Sequence, residues 1–259
     1  LDPELMALIT RFDPDNRYGV PYLWGTTGIG YNVDAITERL GEDAPVDSLD
    51  LVFVPEYLAQ LADCGVAFLD APSEIFAAVL HYLGEDPNST EPDVYKQDAQ
   101  QLLQAIRPFV TYFHSSQYIN DLANGDICVA FGWSGDILQA ATRAEEAANG
   151  VAVDYRIPVE GALLWFDMLA IPADARNVDS AHRFIDFLLR PDVIADVTAY
   201  VSYANPNLPA TELVPAGIRD NPGIYPPPAV REKLFTDKVT PPRIDRVMNR
   251  VWTSVKTGR

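Results

Sequence analysis

The chain has 259 residues, enough for one large domain or two of medium size. Hydrophobic residues make up 48% and charged residues 22%, a balance that excludes a disordered polymer. Nineteen Lys plus Arg against 37 Asp plus Glu leave a net charge of −18, which repels phosphate backbones and anionic lipid, attracts cations, and argues against nucleic acid as a partner.

Asp2 and Pro3 suit the N-cap and first position of an opening helix. Leu1-Asp2-Pro3-Glu4 has neither the basic start nor the apolar run of a signal peptide, and position 1 is not Met, so an upstream segment is expected to be missing. No apolar run reaches the roughly 18 residues of a membrane-spanning helix, so no direct membrane insertion is expected. Gly25-Thr26-Thr27-Gly28-Ile29-Gly30 lacks the G-x-G-x-x-G spacing, and its glycines fit a close-packed strand or crossing segment. Residues 66–70 read as a buried strand, followed by a helix over 73–83 that ends at Gly84. A helix through 99–103 precedes a strand at 110–113. Ser115 or Ser116 caps a helix ending at Gly125, and 127–131 form the next strand. A helix follows over 136–148, with Ile137, Ala140, Ala141 and Ala144 on one face. Residues 163–171 are a strand ended by Pro172, 181–189 an amphipathic helix, and Pro191 opens another. The proline-rich last forty residues predict an extended connection before a terminal helix over 244–255. This strand–helix order predicts α/β layers around a largely parallel sheet.

Gly132-Trp133-Ser134-Gly135-Asp136 comes close to the G-x-S-x-G elbow that presents a nucleophilic serine. The motif needs glycine two residues after the serine, where Asp136 stands, so the elbow fails. The three histidines are His81, His114 and His182, and only His114, at a strand end, could serve a triad with Ser134 or Ser115. No H-E-x-x-H pair and no Asp-rich calcium loop is present, so no metal site and no cofactor is expected. Cys64 and Cys128 are too far apart for a metal-ligand pattern; a disulfide and two buried thiols both fit. Asn88-Ser89-Thr90 matches a common glycosylation sequon.

Acids beside aromatics mark several element ends: Trp133 near Asp136, Trp165-Phe166-Asp167, Tyr203, and Glu74 opening a helix. Ligands gather where strands of α/β sheets end, aromatic faces attract ammonium groups, and a desolvated cation needs a carboxylate. These residues also have ordinary roles. Glu74 and Asp136 sit in helix first turns, which favour a carboxylate whatever the function, and Trp165 and Phe166 suit a core.

The stretches 21–32 (Pro21 to Asn32), 68–74, 115–126, 132–136 and 165–167 resemble segments of periplasmic polyamine-binding proteins, the ligand-capturing components of putrescine and spermidine ABC importers. The resemblance runs in order from Leu1 to the segment around Trp252, and it is closest to the putrescine-binding branch. It implies a type II periplasmic binding protein fold: two lobes joined by a hinge, with the N-terminal half of lobe one absent from this chain. Lobe one would comprise 1–25 and 150–203, lobe two 26–149 and 204–259. The incomplete lobe one would expose apolar sheet. Carried over residue by residue, Glu74, Asp136 and Asp167 would hold amine groups in an acidic, aromatic inter-lobe cleft. Trp133, Trp165 and Tyr203 would line the methylene chain, Ser115 would add polar contacts, and Lys238 would stand at the rim. Trp165 points to spermidine, because putrescine-preferring relatives often carry phenylalanine there; overall similarity points to putrescine. The resemblance also implies a Cys64–Cys128 disulfide, worth roughly 2–4 kcal/mol if unstrained. A monomeric, non-enzymatic periplasmic protein that serves an inner-membrane permease is expected. A carbohydrate-active hydrolase is the alternative of another class, since acidic aromatic troughs also grip sugars. A receptor for another organic cation such as agmatine is the alternative within the class.

Overall fold

In a computed structural model describing residues 1–258, helix α1 (Pro3–Ile9) opens the chain, and the Asp2 carboxylate accepts the Glu4 N–H at 2.8 Å. Strand β1 (Val20–Asn32) leads into α2 (Val33–Leu40), capped by the Asn32 side chain, which accepts the Ala35 N–H. There follow α3 (Pro55–Leu61), β2 (Val66–Phe68) and α4 (Pro72–Tyr82). A π turn over Tyr95–Ala99 runs into α5 (Gln100–Ile106), β3 (Tyr112–Phe113) and α6 (Gln117–Asn124). The His114 Nδ1 accepts the N–H groups of Ser116 and Gln117 at 3.2 and 3.0 Å, so an imidazole, rather than either serine, caps α6. Gly125 ends that helix in the left-handed region, which a side chain would resist. Next come β4 (Val129–Trp133), α7 (Ser134–Ala147), β5 (Val153–Arg156) and β6 (Leu164–Leu169). Helices α8 (Val178–Leu188) and α9 (Pro191–Val201) precede a proline-rich stretch of short helical turns, and α10 (Pro242–Thr257) closes the chain.

The sheet order is β3-β2-β4-β1-β5, with β6 also paired to β1. Strand β2 is parallel to β3 and β4, whereas β1 is antiparallel to both β4 and β5. The sheet is therefore mixed, not largely parallel. The strand–helix repeats do produce strands of one direction; β1 enters between β4 and β5 and runs against them. It is 13 residues long and buried almost throughout, which removes the period-2 alternation by which a strand is recognised. Two of its glycines, Gly28 and Gly30, are required by contact. A Cβ on Gly28 would stand 2.6 Å from the Arg156 carbonyl oxygen, and one on Gly30 2.6 Å from the Ile137 side chain.

The chain divides into two compact units, Thr26–Leu163 with Ala229–Arg259, and Leu1–Gly25 with Leu164–Pro228. The chain passes from one unit to the other at 25/26, 163/164 and 228/229. Pairing of β5 with β1, Ile29 opposite Arg156, keeps 150–163 with the larger unit. Ala210 and Val214 pack with Leu23, Ile194 and Ala195 in the core of the smaller one.

The larger unit holds a core that includes Phe53, Phe68, Phe76, Phe131, Tyr118 and Trp252. Cys64, just past α3, and Cys128, just before β4, form the disulfide that the resemblance implied, with Cα atoms 5.5 Å apart. In the smaller unit α8 has no buried residue: Phe184 and Phe187 remain 58% and 48% exposed.

Candidate functional site

In the larger unit, Pro72 opens α4 and places Glu74 in its first turn, where the helix dipole favours a carboxylate. The antiparallel register sets Thr27 of β1 directly opposite Trp133 of β4, so the two side chains rise side by side. Both reach Glu74. The Thr27 hydroxyl donates to Oε2 at 2.6 Å, and the Trp133 Nε1–H faces Oε1 and Oε2 at 3.1 and 2.9 Å. Burial pushes the Glu74 carboxyl above the usual range, and these hydrogen bonds pull it partly back. No basic side chain among the described residues pairs with it.

Asp136 lies in the first turn of α7 and accepts the Tyr118 hydroxyl at 2.9 Å; that hydroxyl in turn accepts the Trp133 N–H at 3.3 Å. Tyr118 is fully buried, and burial with the Asp136 charge raises its phenol far above the ordinary value. Gly132 leaves room for this ring, since a Cβ there would approach it to 2.9 Å. Ser134 is buried and its hydroxyl accepts the Thr26 N–H at 3.3 Å. The segment 132–136 is thus a set of supports for two carboxylates rather than a nucleophile elbow.

Ser115 accepts the Asp70 N–H at 3.2 Å. Asp70 itself is held by Trp252 Nε1 at 2.8 Å and Lys256 Nζ at 2.9 Å. Burial raises the Asp70 carboxyl, but these donors outweigh it and the net shift is downward. Lys238 is exposed, and its N–H donates to Asn88 Oδ1 at 2.6 Å. The Asn88 amide nitrogen donates to the Thr236 carbonyl at 3.0 Å, so the sequon side chain is engaged at both ends.

In the smaller unit Trp165 and Asp167 lie two apart on β6 and so share a face. The Trp165 ring meets Tyr203 edge-on, centroids 5.2 Å apart at 69°. Asp167 is near enough to Tyr22 that its charge, after burial, raises that phenol. The structure therefore brings together Glu74, Trp133 and Asp136 in one unit, and Trp165, Tyr203 and Asp167 in the other. Ser115 and Lys238 stand on separate loops of the larger unit.

Three residues escaped the sequence reading. Thr27 and Tyr118 lie inside stretches that were singled out, but their roles depend on register and burial. Asp237 adjoins Lys238 and had no signal of its own. It is half-buried and lines a cleft of about 110 Å³ with Ser73, Asn88, Tyr95 and Lys238. Burial, with the Glu74 charge beside it, raises its carboxyl to about 6. Among the described residues no group of His, Cys, Asp and Glu could hold a metal ion.

Comparison with known proteins identifies the frame in which these groups sit. The model of the bacterial extracellular solute-binding protein family matches residues 2–225. The chain is 61% identical, over its whole length and 70% of the relative's, to a putrescine-binding periplasmic protein of Escherichia coli K12. It is 52% identical, with the same coverage, to a putrescine-binding periplasmic protein of Pseudomonas aeruginosa UCBPP-PA14. A solved spermidine/putrescine ABC transporter substrate-binding protein of Streptococcus pneumoniae superposes with TM-score 0.80 at 27% identity, covering all of this chain and 74% of that one. The fold is the α/β fold of type II periplasmic binding proteins, and this chain belongs to the bacterial extracellular solute-binding protein family.

Proposed function

We propose that the chain binds a linear di- or polyamine, putrescine or spermidine, in the periplasm and delivers it to an inner-membrane ABC permease, without catalysing a reaction. The observation that carries this reading is the state of Glu74: a half-buried carboxylate whose partners are neutral donors, with an indole beside it. Such a group is desolvated without being neutralised, and an ammonium is the ligand that relieves it. The named specificities of the 61% and 52% identical relatives support the same ligand class.

A linear amine carries ammonium groups separated by methylenes. Each unit offers a carboxylate with aromatic faces for such a pattern: Glu74 and Asp136 with Trp133 in one, Asp167 with Trp165 and Tyr203 in the other. The carboxylates take the ammonium groups and the rings take the methylenes, while Ser115 and Lys238 supply polar contacts at the margin. The two units are the two lobes of the binding fold. Titration calorimetry with putrescine, spermidine, agmatine and glucose tests this. Heat with the first two and none with glucose is expected; turnover of a glycoside, or no heat with any amine, overturns it.

A further inference from the structure

The last helix carries a charge pattern that the amine site does not use. Arg243, Arg246 and Arg250 follow one another on α10 at spacings of three and four, so they form one line along the helix, and all three are exposed. None of them joins an ion pair or donates a hydrogen bond among the described residues. The chain has 37 acidic and 19 basic side chains, so carboxylates are abundant and three neighbouring cations without one run against the charge of the whole molecule. Local electrostatics does not account for them either. Arg243 stands in the first turn of α10, where the helix dipole favours the Asp245 carboxylate and disfavours a cation.

Beside this line α10 packs on the π turn and α5, and a groove of about 280 Å³ runs there. Val247 and Val251 give it apolar walls, and Lys96, Gln100, Arg250 and Ser254 give it polar ones. Lys96 adds a fourth cation, held loosely by exposed Asp93 at 3.5 Å; Asp98 on the same turn is exposed as well. The inner side of the helix serves the amine site. Trp252 Nε1 and Lys256 Nζ hold the carboxylate of Asp70, four residues before Glu74.

A row of guanidinium groups beside an apolar groove fits a chain segment that presents carboxylates and one apolar side chain. The planar forks take the carboxylates in pairs of hydrogen bonds, and the groove takes the apolar anchor. We infer that the outer face of α10, with Arg243, Arg246, Arg250 and the groove shared with Lys96, is a docking surface for an acidic segment on the periplasmic face of the ABC permease. The inference rests on the delivery function proposed above and assigns the surface by which the partner is met. A permease seated there touches the helix that pins the loop leading to Glu74.

The experiment uses phosphatidylcholine vesicles that hold the permease with its ATPase subunits, and follows ATP hydrolysis against the concentration of amine-loaded protein. Joint replacement Arg243→Glu, Arg246→Glu and Arg250→Glu should raise the half-activating concentration about tenfold. It should also flatten the loss of activation between about 10 mM and 150 mM salt. Amine affinity by calorimetry should stay within about twofold, and a thermal melt confirms that the variant is folded. A control with the same charge change at exposed Arg11, Arg176 and Arg183 should activate within about twofold of wild type. If the α10 variant activates like wild type, or the control loses as much, the inference fails and the delivery function stands. It fails likewise if the wild type binds phosphatidylglycerol vesicles without permease as tightly as the permease vesicles, since lipid is then the occupant. If the wild type does not activate the permease at all, the delivery function and the inference fail together.

Discussion

Glu74 accepts three contacts from the hydroxyl of Thr27 and the indole of Trp133, and these offset part of what burial costs it. Replacing it by Gln keeps the shape and removes the charge, so amine dissociation constants should rise about ten- to a hundredfold with the far-ultraviolet spectrum unchanged. Unaltered affinity in that variant would remove Glu74 from the site. Asp237 makes the opposite prediction for stability. Its folded-state carboxyl titrates at about 6, above the ordinary 3.8, so the native protein disfavours its ionised form. The resulting penalty is fully present above the folded value, fades as pH falls through the window from about 6 to 3.8, and is gone below it. Asp237→Asn should therefore stabilise the unliganded chain by about 1–3 kcal/mol near neutrality, after allowance for partial exposure, and by nothing below about pH 4. Equal melting temperatures of the two proteins across that window would show that Asp237 is not strained. The two carboxylates also differ in how visible they were. Glu74 was legible because Pro72-Ser73-Glu74 marks a helix start and stands in a recognisable stretch. Asp237 stands in a proline-rich segment without periodicity, where nothing local reports that Glu74 lies beside it.

At the scale of elements, the disulfide ties the end of α3 to the start of β4 across a sequence separation of 64. Closing a loop of that size restricts the unfolded chain, which stabilises the larger unit by about 2–4 kcal/mol. Reduction, or replacement of both Cys64 and Cys128 by Ser, should lower its melting temperature by roughly 5–15 °C. Amine affinity of the folded variant should change little, because neither sulfur touches the Glu74 group; a melting temperature indifferent to reductant would count against the linkage in solution. Helices with clear starts and stops were legible: α4, α6, α7 and α10 stand within two residues of the expected spans at most ends. What escaped was strand pairing. Nothing in Thr26-Thr27-Gly28-Ile29-Gly30 announces that β1 runs between β4 and β5, or that Thr27 will face Trp133. Register and direction are long-range facts, and the apolar, glycine-spaced run of β1 fits several partners equally well.

For the whole molecule, the charge of −18 acts at a distance that the individual site residues do not reach. Most of the 37 acidic side chains are surface groups, and each contributes little in water. Their sum still produces a field that draws cations toward the chain before any contact forms. At about 0.15 M salt this field is screened beyond roughly 8 Å, whereas an ammonium seated on half-buried Glu74 is shielded much less. Steering and holding should therefore separate in kinetics. Between about 10 mM and 150 mM salt the association rate constant for spermidine should fall severalfold, more than that for putrescine, because a larger ligand charge feels the field more strongly. The dissociation rate constant should move less than the association rate constant for both ligands. Stopped-flow measurement of both constants across that range, following Trp133 and Trp165 fluorescence, decides the matter. If salt acts mainly on dissociation, the attraction is confined to the contacts and the acidic surface serves solubility alone. If association of the triamine slows first and most, the net charge belongs to the capture step, and the composition noted at the outset has a kinetic role.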